Sequence, residues 1–168
     1  MADSKDSTLW NFSEGIPDLQ DALVVLVKTE WNAATADALE EGALRILARN
    51  GLRAETLLVP GAVEIPFAIQ HYWDQVRKKD RPAAFIAFGC VLRGDTPHFD
   101  YVCQSVTMGV TQLNLALPVP TIFGVLTVNS QEQADERTGG RHGHKGEEAA
   151  ITAIKMIQLS RRLKKKAE

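Results

Sequence analysis

The sequence predicts an α/β fold, a three-layer α/β/α sandwich around a four-stranded parallel sheet, and three observations carry that prediction. Four short apolar runs, Ala22–Lys28, Ala54–Val59, Ala83–Phe88 and Thr121–Thr127, have the length and composition of strands; the first and third are apolar enough to be buried on both faces. A segment with apolar residues at helical spacing follows each run. The alternation repeats four times, which calls for parallel strands joined by right-handed crossovers, with helices on both sides. At 168 residues, with no linker, internal repeat or low-complexity tract, the chain fits one domain.

Each element has its own signal. Residues 1–21 lack periodicity, contain Gly15 and Pro17, and hold one apolar cluster, Leu9, Trp10 and Phe12. They read as an arm that needs a surface outside its own domain, such as a neighbouring subunit, with the single domain occupying residues 22–168. The first strand ends in Glu30-Trp31-Asn32. Residues 33–50 place Leu39, Ala43, Leu44, Ile46 and Leu47 at helical spacing and stop at Asn50-Gly51, a helix-ending pair. Pro60-Gly61-Ala62 closes the second strand. A helix is then expected over residues 64–79, with Pro66 in the first turn, where a missing N–H costs nothing. The third strand is expected to break at Gly89-Cys90. A polar loop, Arg93 to His98, leads into a helix over residues 99–117, which Pro118 ends. After the fourth strand come a short acidic helix over residues 131–137, a glycine-rich loop, and a long helix from about Gly146 to Lys165.

Composition narrows the function classes. A net charge of −2 exerts no overall pull on nucleic acid or anionic membrane. The basic run Arg161–Lys166 falls where cations complement a helix C-terminus. No apolar stretch approaches the roughly 20 residues that span a bilayer. The polar, acidic N-terminus is unlike a secretory signal, so Cys90 and Cys103 are expected as reduced thiols in a cytoplasmic protein.

The unusual residues collect behind the four strands, and the carboxyl edge of a parallel sheet is where sites form. Gly94-Asp95-Thr96 offers backbone N–H groups and a hydroxyl beside a helix N-terminus, an arrangement suited to a phosphate. Arg137 adds a guanidinium for the same anion. His98 titrates near neutrality and suits proton transfer. Trp31 offers a flat face for a ring, and Glu64 an acceptor for hydroxyls. Singly, each has an ordinary structural explanation; their joint placement favours a site. His142 and His144 with His98 lack a well-spaced carboxylate or thiolate, so no metal is expected. The apolar surroundings of Cys90 and Cys103 argue against a thiol nucleophile. No GxGxxG follows the first strand and no GxxxxGK[ST] occurs, so no nucleotide cofactor is expected.

Five ordered motifs make the chain resemble the 6,7-dimethyl-8-ribityllumazine synthase family from about Leu23 to the last helix. They are Glu30-Trp31-Asn32, Pro60 to Pro66, Gly89 to Tyr101, Phe123 to Thr127, and Glu136-Arg137-Thr138-Gly139 through His144-Lys145-Gly146. The resemblance implies a flavodoxin-like fold and the penultimate step of riboflavin biosynthesis. In that step 5-amino-6-(D-ribitylamino)uracil and 3,4-dihydroxy-2-butanone 4-phosphate condense without metal or cofactor. By motif, Trp31 would stack on the pyrimidine, where the family often has phenylalanine. Ala62, Val63 and Glu64 would line the ribityl chain. Cys90, Val91 and Leu92 would meet the heterocycle through backbone groups, and Lys145 would sit near its carbonyls. Asp95, Thr96 and Arg137 would hold the phosphate, with His98 as acid and base. Phe123 would reach a neighbouring subunit's site. Asp95 departs from the small residues usual in the family, and its carboxylate would repel a phosphate, so the contact expected there is its backbone N–H.

The resemblance also implies a homo-oligomer based on a pentameric ring, and it admits riboflavin synthase as a protein partner. The compact turn Gly139 to Lys145 argues for rings that assemble into an icosahedral shell, whereas tryptophan at position 31 resembles pentamer-forming members. A riboflavin- or lumazine-binding protein without turnover is the alternative from another class. Such a binder has no use for Thr96, Arg137 and His98 together.

Overall fold

Eight buried residues that alternate in direction explain the layers. Val24, Leu26, Ile86 and Phe88 point to one side of the sheet and Val25, Val27, Phe85 and Ala87 to the other, and all are fully buried. The period of two along a strand does this: both faces are apolar, so both must be covered. The computed structural model describes residues 19–20 and 22–166. The expected arm cluster of Leu9, Trp10 and Phe12 lies outside them. Leu19, on the arm side of the expected boundary, is buried in the domain core.

The elements are β1 (Leu23–Thr29), α1 (Ala33–Arg49), β2 (Arg53–Val59), a 3-10 turn (Ala62–Glu64) running into α2 (Ile65–Gln75), β3 (Ala84–Leu92), α3 (His98–Ala116), β4 (Thr121–Val128), α4 (Gln131–Asp135), β5 (Thr138–Gly140), β6 (Gly143–His144) and α5 (Lys145–Lys165). The main sheet is wholly parallel in the order β2-β1-β3-β4. Helices α1 and α5 cover one face through Leu39, Ala43, Leu47, Ala150 and Ile154. Helices α2 and α3 cover the other through Ile65, Ile69, Val106, Val110 and Leu113. This is the three-layer α/β sandwich that the alternation of runs predicts, in the flavodoxin-like arrangement that the resemblance implies.

Two boundaries and one loop differ from expectation. β3 does not break at Gly89-Cys90 but continues to Leu92, because Gly89–Leu92 pair in register with Val125–Val128 of β4. Gly89 serves close packing there: a Cβ would stand 3.0 Å from Thr29 Cγ2. Helix α2 stops at Gln75, short of Lys79, where Val76 turns extended after donating its N–H to the Tyr72 carbonyl. The glycine-rich loop carries a small antiparallel hairpin, β5–β6, that pairs Thr138 with His144 and Gly140 with Gly143.

That hairpin delivers the chain onto α1. A Cβ on Gly146 would lie 2.0 Å from the Leu39 carbonyl oxygen, and one on Gly42 would lie 2.1 Å from the His144 ring. Gly146 lets the start of α5 touch the α1 backbone and Gly42 makes room for the His144 ring, and together they fix where Lys145 stands.

Candidate active site

The carboxyl ends of β1, β2 and β3 lie side by side on one edge of the sheet. The chain leaving β1 is tied to the end of β2 by Glu30 N–H to the Val59 carbonyl (2.8 Å) and Trp31 N–H to the Pro60 carbonyl (3.1 Å). The Thr29 hydroxyl donates back to the Trp31 carbonyl at 3.0 Å. This short, fully bonded turn holds out the Trp31 indole, which is 70% exposed. A Cβ on Gly61 would be 3.0 Å from both the indole Cε3 and Glu64 Oε2. The bare Gly61 therefore lets the aromatic face and the carboxylate approach each other across the tip of β2. Ala62 is buried beneath them, while Val63 and Glu64 are exposed in the 3-10 turn.

β3 lies on the other side of β1. Cys90 is buried, Val91 half-buried and Leu92 exposed. Burial pushes the Cys90 thiol pKa up, and burial followed by the Asp100 carboxylate does the same for Cys103. Neither environment favours a thiolate. Residues 93–98, including Asp95, Thr96 and His98, are all exposed, and His98 opens α3. One side chain straps this loop. Arg93 donates to Asn129 Oδ1 (3.1 Å) and to Asp100 Oδ1 (2.9 Å), with its guanidinium 4.0 Å over the Phe99 ring. It joins the end of β4 to the first turn of α3.

Phe123, Arg137 and Lys145 keep different company. All three line a groove of about 540 Å³ along the free edge of β4, against α5. Phe123 is the third residue of the strand, in register with Ala87 and so roughly 17 Å below the strand's carboxyl end at 3.3 Å per residue. Lys145 donates to both oxygens of Glu148 at 2.8 Å, and its N–H reaches the Arg137 carbonyl at 2.8 Å. Arg137 donates from Nη1 to the Gln133 carbonyl at 2.7 Å. Sequence order suggests that Arg137 joins Thr96 within one chain; the groove instead groups it with Phe123 and Lys145. His142 and His144 diverge: His142 Nε2 faces Glu136 at 3.6 Å, while His144 packs on Gly42.

Two residues that tie the strand ends to their neighbours were not singled out by sequence reasoning. Arg93 is one. The other is Asn32, whose φ of 55° is the one positive value at a non-glycine residue among the described residues. The available signal was an asparagine directly behind a strand, because asparagine tolerates the left-handed region better than most residues.

An open parallel sheet with an aromatic platform and polar loops at its carboxyl edge is, as a class, an α/β protein that takes a small molecule at its strand ends. Comparison with known proteins goes further. The family model for 6,7-dimethyl-8-ribityllumazine synthase matches residues 21–161. Among curated proteins, 6,7-dimethyl-8-ribityllumazine synthase of Parabacteroides distasonis is 44% identical over 148 residues, 86% of this chain and 90% of that protein. The synthase of Porphyromonas gingivalis is 46% identical over 88% of this chain and 91% of its own length. That of Bacteroides fragilis is 47% identical over 80% and 93%. The chain belongs to the 6,7-dimethyl-8-ribityllumazine synthase family.

Proposed function

We propose that this protein condenses 5-amino-6-(D-ribitylamino)uracil with 3,4-dihydroxy-2-butanone 4-phosphate to give 6,7-dimethyl-8-ribityllumazine, phosphate and water. The observation that carries this reading is the approach of the Trp31 indole and the Glu64 carboxylate across Gly61. A flat ring bearing a polyol needs a stacking face and a hydroxyl acceptor side by side, and the tip of β2 offers both. Ala62 and Val63 flank the polyol, and the backbone of Cys90, Val91 and Leu92 forms the slot's other wall. The relatives are named as synthases, which favours turnover over binding alone.

The chemistry asks for proton transfers and an anion site. The pyrimidine's 5-amino group adds to the butanone carbonyl and water leaves to form an imine. Phosphate is then expelled, and the ribitylamino nitrogen closes the second ring with loss of a further water. His98, at the start of α3, is the proposed proton carrier, a role worth roughly 10²–10⁴-fold when a side chain is well placed. The backbone N–H of Asp95 and the hydroxyl of Thr96 hold the phosphate, without the Asp95 carboxylate, which would repel it.

One chain offers only part of this site at its strand ends. β3 separates β1 from β4, so their axes stand roughly 10 Å apart. Phe123, Arg137 and Lys145 serve the cleft of an adjacent copy, with Arg137 clamping the phosphate and Lys145 near the uracil carbonyls. This pairing of unlike surfaces closes into a ring, a pentamer by family likeness. The compact turn before α5 favours rings assembled further into an icosahedral shell, with riboflavin synthase as a candidate companion in the cytoplasm. Among the described residues no helix is long and apolar enough to cross a membrane. Mixing the two substrates with purified protein tests the activity: lumazine absorbance and green fluorescence are expected, and a trace no faster than the uncatalysed reaction would reject it.

A further inference from the structure

We infer that Asn32 is a positioning residue that sets the width of the ring slot, an inference that rests on the proposed function above. Its side-chain Nδ2 donates to the Cys90 carbonyl at 2.7 Å, 58 residues away in the chain, in a partly buried bond. Its own carbonyl accepts from the N–H groups of Thr35 (3.0 Å) and Ala36 (3.1 Å), which starts α1. One residue therefore joins three things: the turn that carries Trp31, the first turn of α1, and the tip of β3.

The backbone shows why asparagine stands there. At φ 55° and ψ 42° the residue is left-handed, a conformation that glycine adopts freely and asparagine more readily than other side-chain-bearing residues. Glycine would ease the turn but carries no donor. Asparagine alone combines tolerance of this geometry with an N–H reaching the Cys90 carbonyl; aspartate has the shape but would set a carboxylate oxygen against that carbonyl. The consequence for the site is geometric. Trp31 is one wall of the slot and the backbone at Cys90 to Leu92 is the other, and the Asn32 amide is the direct side-chain link between them. A planar heterocycle needs a fixed gap of one ring thickness. The butanone phosphate, held beyond β3 on the 93–98 loop, does not depend on that gap.

The test measures dissociation constants and Michaelis constants on the full-length assembled protein for Asn32→Asp and Asn32→Gly. Binding of the ribitylaminopyrimidine is read directly from quenching of Trp31 fluorescence, with Trp31→Phe as the control that isolates that signal. Both variants are expected to weaken pyrimidine binding by roughly ten-fold or more, as loss of a partly buried hydrogen bond with misalignment of its partners implies. The Michaelis constant for the butanone phosphate should stay within about two-fold, because that subsite keeps its own contacts. Asn32→Gly, which removes the backbone strain, keeps the test readable if Asn32→Asp folds poorly. Unchanged pyrimidine affinity in the glycine variant, or equal losses for both substrates, would overturn the inference. A wild-type protein that binds the pyrimidine but makes no lumazine would overturn the proposed function alone, since the slot is read by binding.

Discussion

If the two halves of the site come from different copies, two inactive variants should repair each other. Take His98→Ala, which disables the strand-end cleft, and Arg137→Ala, which disables the β4 groove. The first should lose roughly 10²–10⁴-fold in turnover. The second removes a charge-assisted contact of about 1.5–3 kcal/mol, roughly 10- to 150-fold, felt mainly in the Michaelis constant for the butanone phosphate. The geometry sets the size of the repair. Within one chain Phe123 stands roughly 17 Å below the end of β4, and two strand spacings separate β4 from the Trp31 turn. On the proposed division, each site needs a second chain. In rings co-expressed from equal amounts of the two variants, each site draws one half from each of two neighbours. About one site in four then receives two intact halves, so activity should recover to about a quarter of wild type. The assay is lumazine formation at low butanone phosphate, with each variant alone and with the co-expressed mixture. A mixture no more active than the mean of its two components would refute the division of the site.

Two further outcomes follow from packing and charge. Gly146→Ala places a methyl 2.0 Å from the Leu39 carbonyl oxygen, a backbone atom that cannot swing aside, so α5 must lift from α1. Overpacking of this kind costs about 1–3 kcal/mol, and calorimetry should show a Tm lower by several degrees. Gly94→Ala is the control, because nothing lies within 4 Å of its added Cβ. His144, whose buried Nδ1 lacks a hydrogen-bond partner among the described residues, has its pKa held below 6.5, chiefly by burial and against the pull of Glu147 and Glu41. The unfolded chain therefore takes up this proton first as the pH falls. Stability contributed above 6.5 is lost below it. Thermal melts from neutral to mildly acid pH should fall less steeply in His144→Gln; equal slopes would remove His144 from the transition.

The sheet was legible because Leu23–Thr29 and Ala84–Phe88 are apolar on both faces, which no surface segment resembles. The end of β3 was not. Glycine and cysteine read as a break, but pairing with Val125–Val128 overrides local propensity. The hairpin of residues 138–144 was hidden by its glycines, which carry no alternation to read. Trp31, Glu64, Thr96 and His98 were legible as residues that follow strands. The separation of Arg137 from them was not, because order along the chain does not reveal that β4 ends the sheet and turns an open groove outward. Arg93 and Asn32 escaped because their work lies in partners 36 and 58 residues away.

The most direct measurement is the stoichiometry of a single turnover, with phosphate and lumazine followed in the same reaction for the wild type and His98→Ala. The wild type should release one phosphate for each lumazine formed, and His98→Ala should slow both together by roughly 10²–10⁴-fold while still binding the pyrimidine. Phosphate released without lumazine, or a His98→Ala variant within a few-fold of wild type, would contradict the assignment of this site to the condensation.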